Sequence, residues 1–221
     1  MASPFEIRLQ SILKNHVTPL LKNNGFTKTG SVYYCSHDVL DWLVEIERSG
    51  FNDVTQANFT IVCGVYVPRV MSRYITVDQP EPARPKYPDC TLYARLGWLA
   101  PEHLDVWWTL SSLDDNEHVD AEIGRDIIER LITHGLPFLQ QFFDRKSVLN
   151  FLLESRMECE EQVEPRDPVV SLVYASIISF LLGDRQQGEA AIQAAEKLAI
   201  QHSSWSDFPE VKKKVLDTQT Y

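Results

Sequence analysis

The stretch that decides the fold is WLVEIERSGFNDVTQANFTIVCGVYV, residues 42–67, in which two apolar runs flank a polar turn. In the first run, apolar residues on one parity alternate with Leu43, Glu45 and Glu47 on the other, and this period of two is typical of a half-buried strand. The second run, residues 59–67, is apolar on both parities, which is typical of an interior strand covered on both faces. We therefore expect these strands to form the middle of an antiparallel sheet.

The composition indicates an ordinary globular protein with a negative charge. The chain has 221 residues, 44% of them hydrophobic and 24% charged, and its formal net charge is −10. Such a charge repels phosphate backbones and anionic lipid on average, so we expect neither nucleic acid nor a membrane as a partner. No signal sequence or apolar span is evident, which favours a cytoplasmic location. Free thiols are expected at four scattered cysteines, Cys35, Cys63, Cys90 and Cys159.

The segments around the central strands predict further helices and strands. Ser3 and Glu6 form a capping box for a helix that Gly25 ends. More strands are expected at residues 31–35, 91–96 and 105–110, and a helix that carries Ile127 is expected to stop at Gly135. Residues 68–88 hold five of the twelve prolines, which predicts a long surface loop or lid.

The C-terminal region predicts a separate helical element. Residues 156–167, RMECEEQVEPRD, are acidic and lack periodicity, so we place a boundary between an α+β domain at residues 1–155 and a C-terminal part at residues 166–221. That part contains a hairpin of helices around Gly183 and Asp184, followed by a short helix with a solvated lysine run at residues 212–214. The expected fold is α+β, with an antiparallel sheet of about five strands, helices packed on it, and the C-terminal α-helical hairpin docked on that domain.

Several sequence blocks occur in the order found in one family. A helix ends in GF-x-K-x-G, three strands read WLVEIERSGF, NFTIVCGVYV and CTLYARLGWL, a strand with paired tryptophans follows, and HGLPFLQQF closes a helix. Over residues 7–154 the chain resembles domain-of-unknown-function family 4304, although Glu47 stands where that family often has glutamine. The resemblance implies a bacterial α+β domain without an assigned activity, whose relatives lie near toxin and immunity genes. The C-terminal hairpin is similar to one tetratricopeptide unit, which needs a neighbour to cover its faces.

The sequence carries no common catalytic or cofactor motif. It has no G-x-S-x-G elbow, no H-E-x-x-H or C-x-x-C pair, and no glycine-rich phosphate loop, so we expect no metal and no cofactor. The candidate ligand or partner surface is therefore a set of polar and aromatic side chains on the sheet: Glu45, Glu47, Arg48, Arg95 and Trp107.

Each member of this set has a structural interpretation beside the functional one. Glu45 and Glu47 share a strand face, which we interpret as solvated rather than as an acid–base pair. Arg48 and Arg95 lie among apolar positions, so each either pairs with a carboxylate in the interior or binds an anion. Of the adjacent tryptophans at positions 107 and 108, one belongs to the core and the other faces a helix, a partner or water.

Two functions remain open at this point. The first is a non-catalytic protein- or peptide-binding module, of which an immunity-type role against a basic protein partner is one form. The alternative is a small-molecule enzyme whose pocket lies between the sheet and the proline-rich loop at residues 68–88. A homodimer is compatible with either function.

Overall fold

The structure is a computed structural model that describes residues 3–75, 80–111, 116–154, 162–202 and 205–217. The chain divides into two compact units, each assembled from separate stretches. The first unit comprises Met1–Ser36, Asp41–Gly64 and Ala94–Gln140, and the second comprises His37–Leu40, Val65–Tyr93 and Gln141–Tyr221. The expected division into residues 1–155 and 166–221 stays a prediction.

The sheet confirms the predicted α+β class. Within the described residues it has six strands: β1 (Thr27–Thr29), β2 (Val32–Ser36), β3 (Asp41–Arg48), β4 (Gln56–Tyr66), β5 (Leu92–Arg95) and β6 (Trp108–Ser111). The order is β1-β2-β3-β4-β5, and β6 also pairs with β4. Because β6 pairs with residues 56–59 and the Leu96 amide donates to the Ile61 carbonyl, the two short strands follow one another along one edge of β4.

The Ser3 half of the predicted capping box is confirmed, because the Glu6 amide donates to the Ser3 hydroxyl at 3.1 Å, whereas the Glu6 carboxylate forms an ion pair with Arg48 at 2.7 Å. The helix runs through α1 (Pro4–Ile12), a π-helical turn (Leu13–Val17) and α2 (Thr18–Asn23). Gly25 ends it with a φ of +85°, a left-handed conformation that favours glycine. The π-helical turn ends two residues before Pro19, whose missing backbone donor interrupts regular α-helical bonding.

The prediction that Gly135 ends the next helix is wrong. A second π-helical turn (Leu131–Gly135) carries α4 (Asn116–Arg130) straight into α5 (Leu136–Leu139). A Cβ atom on Gly135 would lie 2.9 Å from the Leu96 Cδ1 atom and 3.1 Å from the Cys63 Sγ atom. Glycine therefore serves close helix–sheet packing here rather than a helix stop.

The proline-rich region is more regular than predicted. Residues 70–74 form α3 (Val70–Tyr74), with Val70 and Arg73 buried, and Tyr87–Asp89 forms a 3₁₀ turn. The expectation of an irregular loop fails at α3 because no proline lies between Pro68 and Pro80. Residues 76–79 of the expected lid lie outside the described residues.

The C-terminal helices form the predicted hairpin, α7 (Pro168–Leu181) and α8 (Arg185–His202), and α6 (Arg145–Glu154) and α9 (Phe208–Asp217) precede and follow it. The Asp167 carboxylate accepts the Val169 amide at 2.7 Å, which caps α7. Ten of the 14 residues of α7 are buried, and this helix contacts α3, α6, α8 and α9 within the second unit. The similarity of the hairpin to a tetratricopeptide unit stays a prediction.

The sequence predicts that the lysine run at residues 212–214 is solvated. The lysine run is not simply solvated, since Lys212 forms an ion pair with Glu196 at 2.7 Å and Lys214 donates to the Ile75 carbonyl. Among the helices of the described segments, none combines the length and the apolar character needed to cross a membrane.

Candidate functional site

The five predicted site residues do not form one site. Glu47, Arg95 and Trp107 come together, Arg48 lies in a groove with other partners, and Glu45 is buried inside the sheet.

Glu45 contradicts the expectation of a solvated strand face. It is 6% exposed, and the neighbouring residues 42–46 of β3 are buried on both parities. The period-two pattern predicts a half-buried strand, but the buried residues of β3 lie on both of its faces, so other parts of the protein cover the sheet on both sides here. Glu45 is therefore part of the interior and is not accessible to a partner.

Arg95 lies at the centre of an ion-pair cluster in the first unit. Its Nε and Nη2 atoms each donate to the Glu47 carboxylate at 3.1 Å, and its Nη1 atom donates to Asp105 at 2.8 Å. The guanidinium carbon lies 4.9 Å from the ring centre of Trp107 and 5.1 Å from that of Trp98. Partial burial opposes this charge, but the bonds and charges of Glu47 and Asp105 outweigh it and raise the pKa of Arg95.

This geometry favours pairing of Arg95 with carboxylates. A two-pronged bond to Glu47 uses the planar guanidinium in its strongest mode, and an external anion would have to displace it. Of the adjacent tryptophans, Trp108 belongs to the core at 6% exposed and donates to Asp126 at 2.7 Å, whereas Trp107 is half-buried beside Arg95. The cluster therefore connects β3 and β5 to the segment that leads into β6.

Arg48 is not buried, in contrast to the interior position expected from its parity. Its side chain is 50% exposed and forms an ion pair with Glu6 at 2.7 Å, so it joins the end of β3 to the first turn of α1. Arg48 is the last residue of β3, and unlike the buried residues 42–46 of the same strand it is exposed to solvent. Arg48 thereby lines a groove that the sequence did not indicate.

This groove, called the N-terminal groove below, lies between the start of α1, the turn after β3 and the first residues of β4. Its volume is about 750 Å³. Much of its lining is apolar and comes from Pro4, Phe5, Leu9, Val54, Ala57, Phe59 and Leu110. Polar groups lie around this lining, namely those of Ser3, Glu6, Arg8, Arg48, Asn52, Asp53 and Asn58.

Arg8 fixes one wall of the N-terminal groove. Its Nη2 atom lies 2.7 Å from the Asp120 carboxylate on α4, and its Nη1 atom donates to the Ser111 carbonyl of β6 at 2.7 Å. Because the Arg8 side chain is only 11% exposed, these bonds are partly shielded from water. Helix α1 is thus held to both α4 and the sheet.

The opposite wall is the turn between β3 and β4, residues 49–55. The Asp53 carboxylate accepts the Thr55 amide and hydroxyl, each at 2.7 Å, and these bonds lower the pKa of Asp53. The Asn52 side chain bonds the backbone of Asn58 at 2.7 and 3.1 Å. The backbone of this turn is therefore well connected to β4.

Two apolar side chains project from this ordered turn. Phe51 and Val54 are each 91% exposed, and Val54 lines the groove. Sequence reasoning treated the segment as a turn because of Gly50, Asn52 and Asp53, and it missed the two apolar residues among them. Two large apolar residues in an otherwise polar turn indicate a contact surface, because the conformation of the turn requires neither of them.

Other chemistry has little support in the described residues. No group of three or more His, Cys, Asp or Glu side chains is arranged there to hold a metal. Burial raises the pKa of the Cys63 thiol to about 12, and burial together with the charge of Asp41 raises the pKa of Cys35. Cys159 lies outside the described residues.

Comparison with known proteins gives one result. The family model described as Domain of unknown function (DUF4304) matches residues 17–141, which run from the last residue of the first π-helical turn to just beyond α5. No curated protein and no solved structure matches the chain. Since the matched segment covers more than half of the 221 residues, the chain belongs to the DUF4304 family.

Proposed function

We propose that this protein is a non-catalytic module that binds a protein or peptide segment in the N-terminal groove. The observation that carries the proposal is an open groove of about 750 Å³ with a largely apolar lining, beside a turn whose Phe51 and Val54 are each 91% exposed. Large apolar side chains that remain exposed beside a concave apolar surface are typical of contact sites for other proteins. The occupant therefore supplies an apolar side chain to the groove.

The charges around the groove select for a basic occupant. Arg8 and Arg48 are both engaged with carboxylates, whereas the bonds of Asp53 come from its own turn and leave its charge unbalanced. The net charge of −10 acts in the same direction over a longer range. Complementary charge speeds association and makes it sensitive to salt. We propose a partner segment with an apolar anchor next to lysine or arginine.

An immunity-type role is one form of this proposal, with a basic toxin as the partner and the cytoplasm as the location. The enzyme alternative requires a pocket between the sheet and residues 68–88. The N-terminal groove lends it no support, since none of those residues lines it. That alternative stays a prediction from the sequence.

A selection of displayed random peptides against the full chain tests the proposal. We expect enrichment of peptides that combine an aromatic or aliphatic residue with arginine or lysine. The double substitution Phe51→Ser and Val54→Ser weakens their binding at least about tenfold. The matched control is Ile200→Ser, at an apolar position of α8 that is 75% exposed, and it leaves the affinity unchanged.

Charge is tested with the same peptides. Asp53→Asn weakens binding and makes it less dependent on salt, because one attractive charge is removed. The proposal is wrong if acidic peptides are enriched, if no peptide is enriched, or if the double serine variant binds the selected peptides as the wild type does.

A further inference from the structure

We infer that a second copy of this chain occupies the N-terminal groove when no other partner is bound, so that the protein forms a two-fold dimer. The occupant is the segment at residues 48–54 of the other copy, which ends β3 and forms most of the turn after it. This segment is called the anchor segment below. The inference builds on the proposed function, because it uses the same groove and names a ligand of the chemistry proposed there. The dimer and a partner peptide therefore compete for one site.

The anchor segment, RSGFNDV, carries the ligand chemistry proposed for the groove. The proposed occupant combines an apolar anchor with a nearby cation, and here Phe51 follows closely after Arg48. Phe51 is almost fully exposed, so its ring is available to another molecule. It does not line the groove of its own chain, although Val54 does. The ring is therefore presented to a second copy rather than to its own groove.

The N-terminal groove has room for this ring. Its volume is about 750 Å³, and pockets of this size hold whole small molecules. Its lining includes Phe5 and Phe59, which offer the offset or edge-on contacts that aromatic rings favour. A phenyl ring that enters the groove therefore exchanges water for apolar and aromatic neighbours.

The anchor segment is held in the conformation that presents Phe51. The Ser49 hydroxyl accepts the Phe51 amide at 3.1 Å, and the Asn52 side chain bonds the backbone of Asn58 at 2.7 and 3.1 Å. A segment that is ordered before it binds loses little conformational entropy on association. An exposed aromatic ring on an ordered turn is therefore an effective anchor even in a small interface.

Charges of opposite sign lie together beside the groove. Among the described residues, Asp53 accepts hydrogen bonds only from its own turn, and Arg48 bonds Glu6 through its Nη2 atom. The Nε and Nη1 donors of Arg48 are thus available to a second carboxylate. In a two-fold interface a contact between Arg48 of one copy and Asp53 of the other forms twice. These local ion pairs favour association, whereas the net charge of −10 opposes it at longer range.

The arrangement closes on itself as a dimer. The anchor segment borders the groove, since Val54 belongs to its lining, so the donor and the acceptor of the contact share one surface. An interface between two identical patches is closed and makes each contact twice. One aromatic anchor buries about 150–250 Å², so two of them leave the interface in the small class, below about 1,200 Å². We therefore expect a weak dimer, with a Kd on the order of 10–100 μM.

The test is sedimentation velocity of the full chain without added peptide, at concentrations from about 1 to about 500 μM. We expect a reversible transition from monomer to dimer over this range. Phe51→Ser raises the Kd of the dimer at least about tenfold, because it removes both anchors, and the exposure of this position leaves folding intact. The matched control is Ile200→Ser, at an exposed apolar position of α8, and it sediments like the wild type.

A complementary pair of variants tests where the anchor binds. Ala57→Phe fills the groove, to whose lining Ala57 belongs, but keeps the Phe51 anchor. Phe51→Ser keeps the open groove but lacks the anchor. A mixture of the two restores one of the two contacts, so we expect the mixed dimer to form about tenfold more tightly than the dimer of either variant. With both variants shown to be folded by circular dichroism, a mixture that associates no more tightly than its components overturns the inference.

The inference is also overturned if the full chain stays monomeric at the highest concentration, if Phe51→Ser dimerises like the wild type, or if a selected peptide binds and leaves the dimer intact. Binding of selected peptides by a chain that never dimerises would refute only the dimer and leave the proposed function standing. A dimer that depends on Phe51, in a chain for which no peptide is enriched, would support the dimer and refute only the proposed function.

Discussion

Replacing Arg8 with methionine tests whether an ion pair holds α1 in place as a wall of the N-terminal groove. In the wild type, the guanidinium bonds the Asp120 carboxylate at 2.7 and 3.1 Å and the Ser111 carbonyl at 2.7 Å. Methionine preserves most of the apolar stem of the side chain but none of these bonds. Asp120, whose side chain is 19% exposed, then loses this cation in a partly buried setting.

The expected magnitude follows from these contacts. A bond to a charged group contributes about 1.5–3 kcal/mol and one to a neutral carbonyl about 1 kcal/mol. The partial exposure of Asp120 lets water recover some of this loss, so we expect the free energy of unfolding to fall by about 2–3 kcal/mol.

Urea unfolding followed by circular dichroism measures the change, with Arg8→Met, Asp120→Ala and the double variant in one cycle. The two single effects are expected to overlap by about 1–2 kcal/mol, because both remove the same ion pair. Arg125→Met is the control, since its Nε atom bonds the Ala121 carbonyl of its own helix at 3.4 Å. A loss below about 0.5 kcal/mol for Arg8→Met, or strictly additive effects, would refute the reasoning.

Three further predictions concern packing. Gly97→Ala lowers the free energy of unfolding by about 2–3 kcal/mol, because the new Cβ atom would overlap the Leu104 carbonyl oxygen and lie 2.7 Å from the Val106 Cγ2 atom; an unchanged free energy of unfolding in urea contradicts this. At pH 8, Cys63 reacts with a thiol reagent at least about a hundredfold more slowly in the folded chain than in the unfolded chain, because it is fully buried and its pKa is raised to about 12. Mass spectrometry of the labelled peptide measures both rates, and equal rates contradict the prediction. Truncation after Asp167 yields an aggregating or strongly destabilised product, because α3 and α6 lose the apolar surface of α7; a soluble monomer with an unchanged melting temperature in size-exclusion and thermal assays would show the hairpin to be independent.

The features that local sequence predicts well are those with a local cause. The cap at Ser3, the left-handed glycines at positions 25 and 183 and the hairpin of α7 and α8 all follow from residues within a few positions of each other. The strands β3 and β4 were placed to within a few residues because their apolar runs are long.

The candidate site was harder to predict because its contacts are distant in sequence. Arg95 bonds Glu47, which is 48 positions away in the sequence, and Arg8 bonds Asp120, which is 112 positions away. Burial is equally non-local, since no pattern within β3 distinguishes a solvated Glu45 from one covered by a second layer.

Chemical-shift mapping with a selected peptide tests most directly whether the N-terminal groove is the binding surface. Amide and methyl resonances of the labelled full chain are followed while the unlabelled peptide is added. The proposed function predicts saturable shifts at Val54, Ala57, Leu110 and Leu9, and these shifts are lost in the Phe51→Ser and Val54→Ser double variant. Saturable shifts confined to the second unit, with the resonances of these groove residues unchanged, would contradict it.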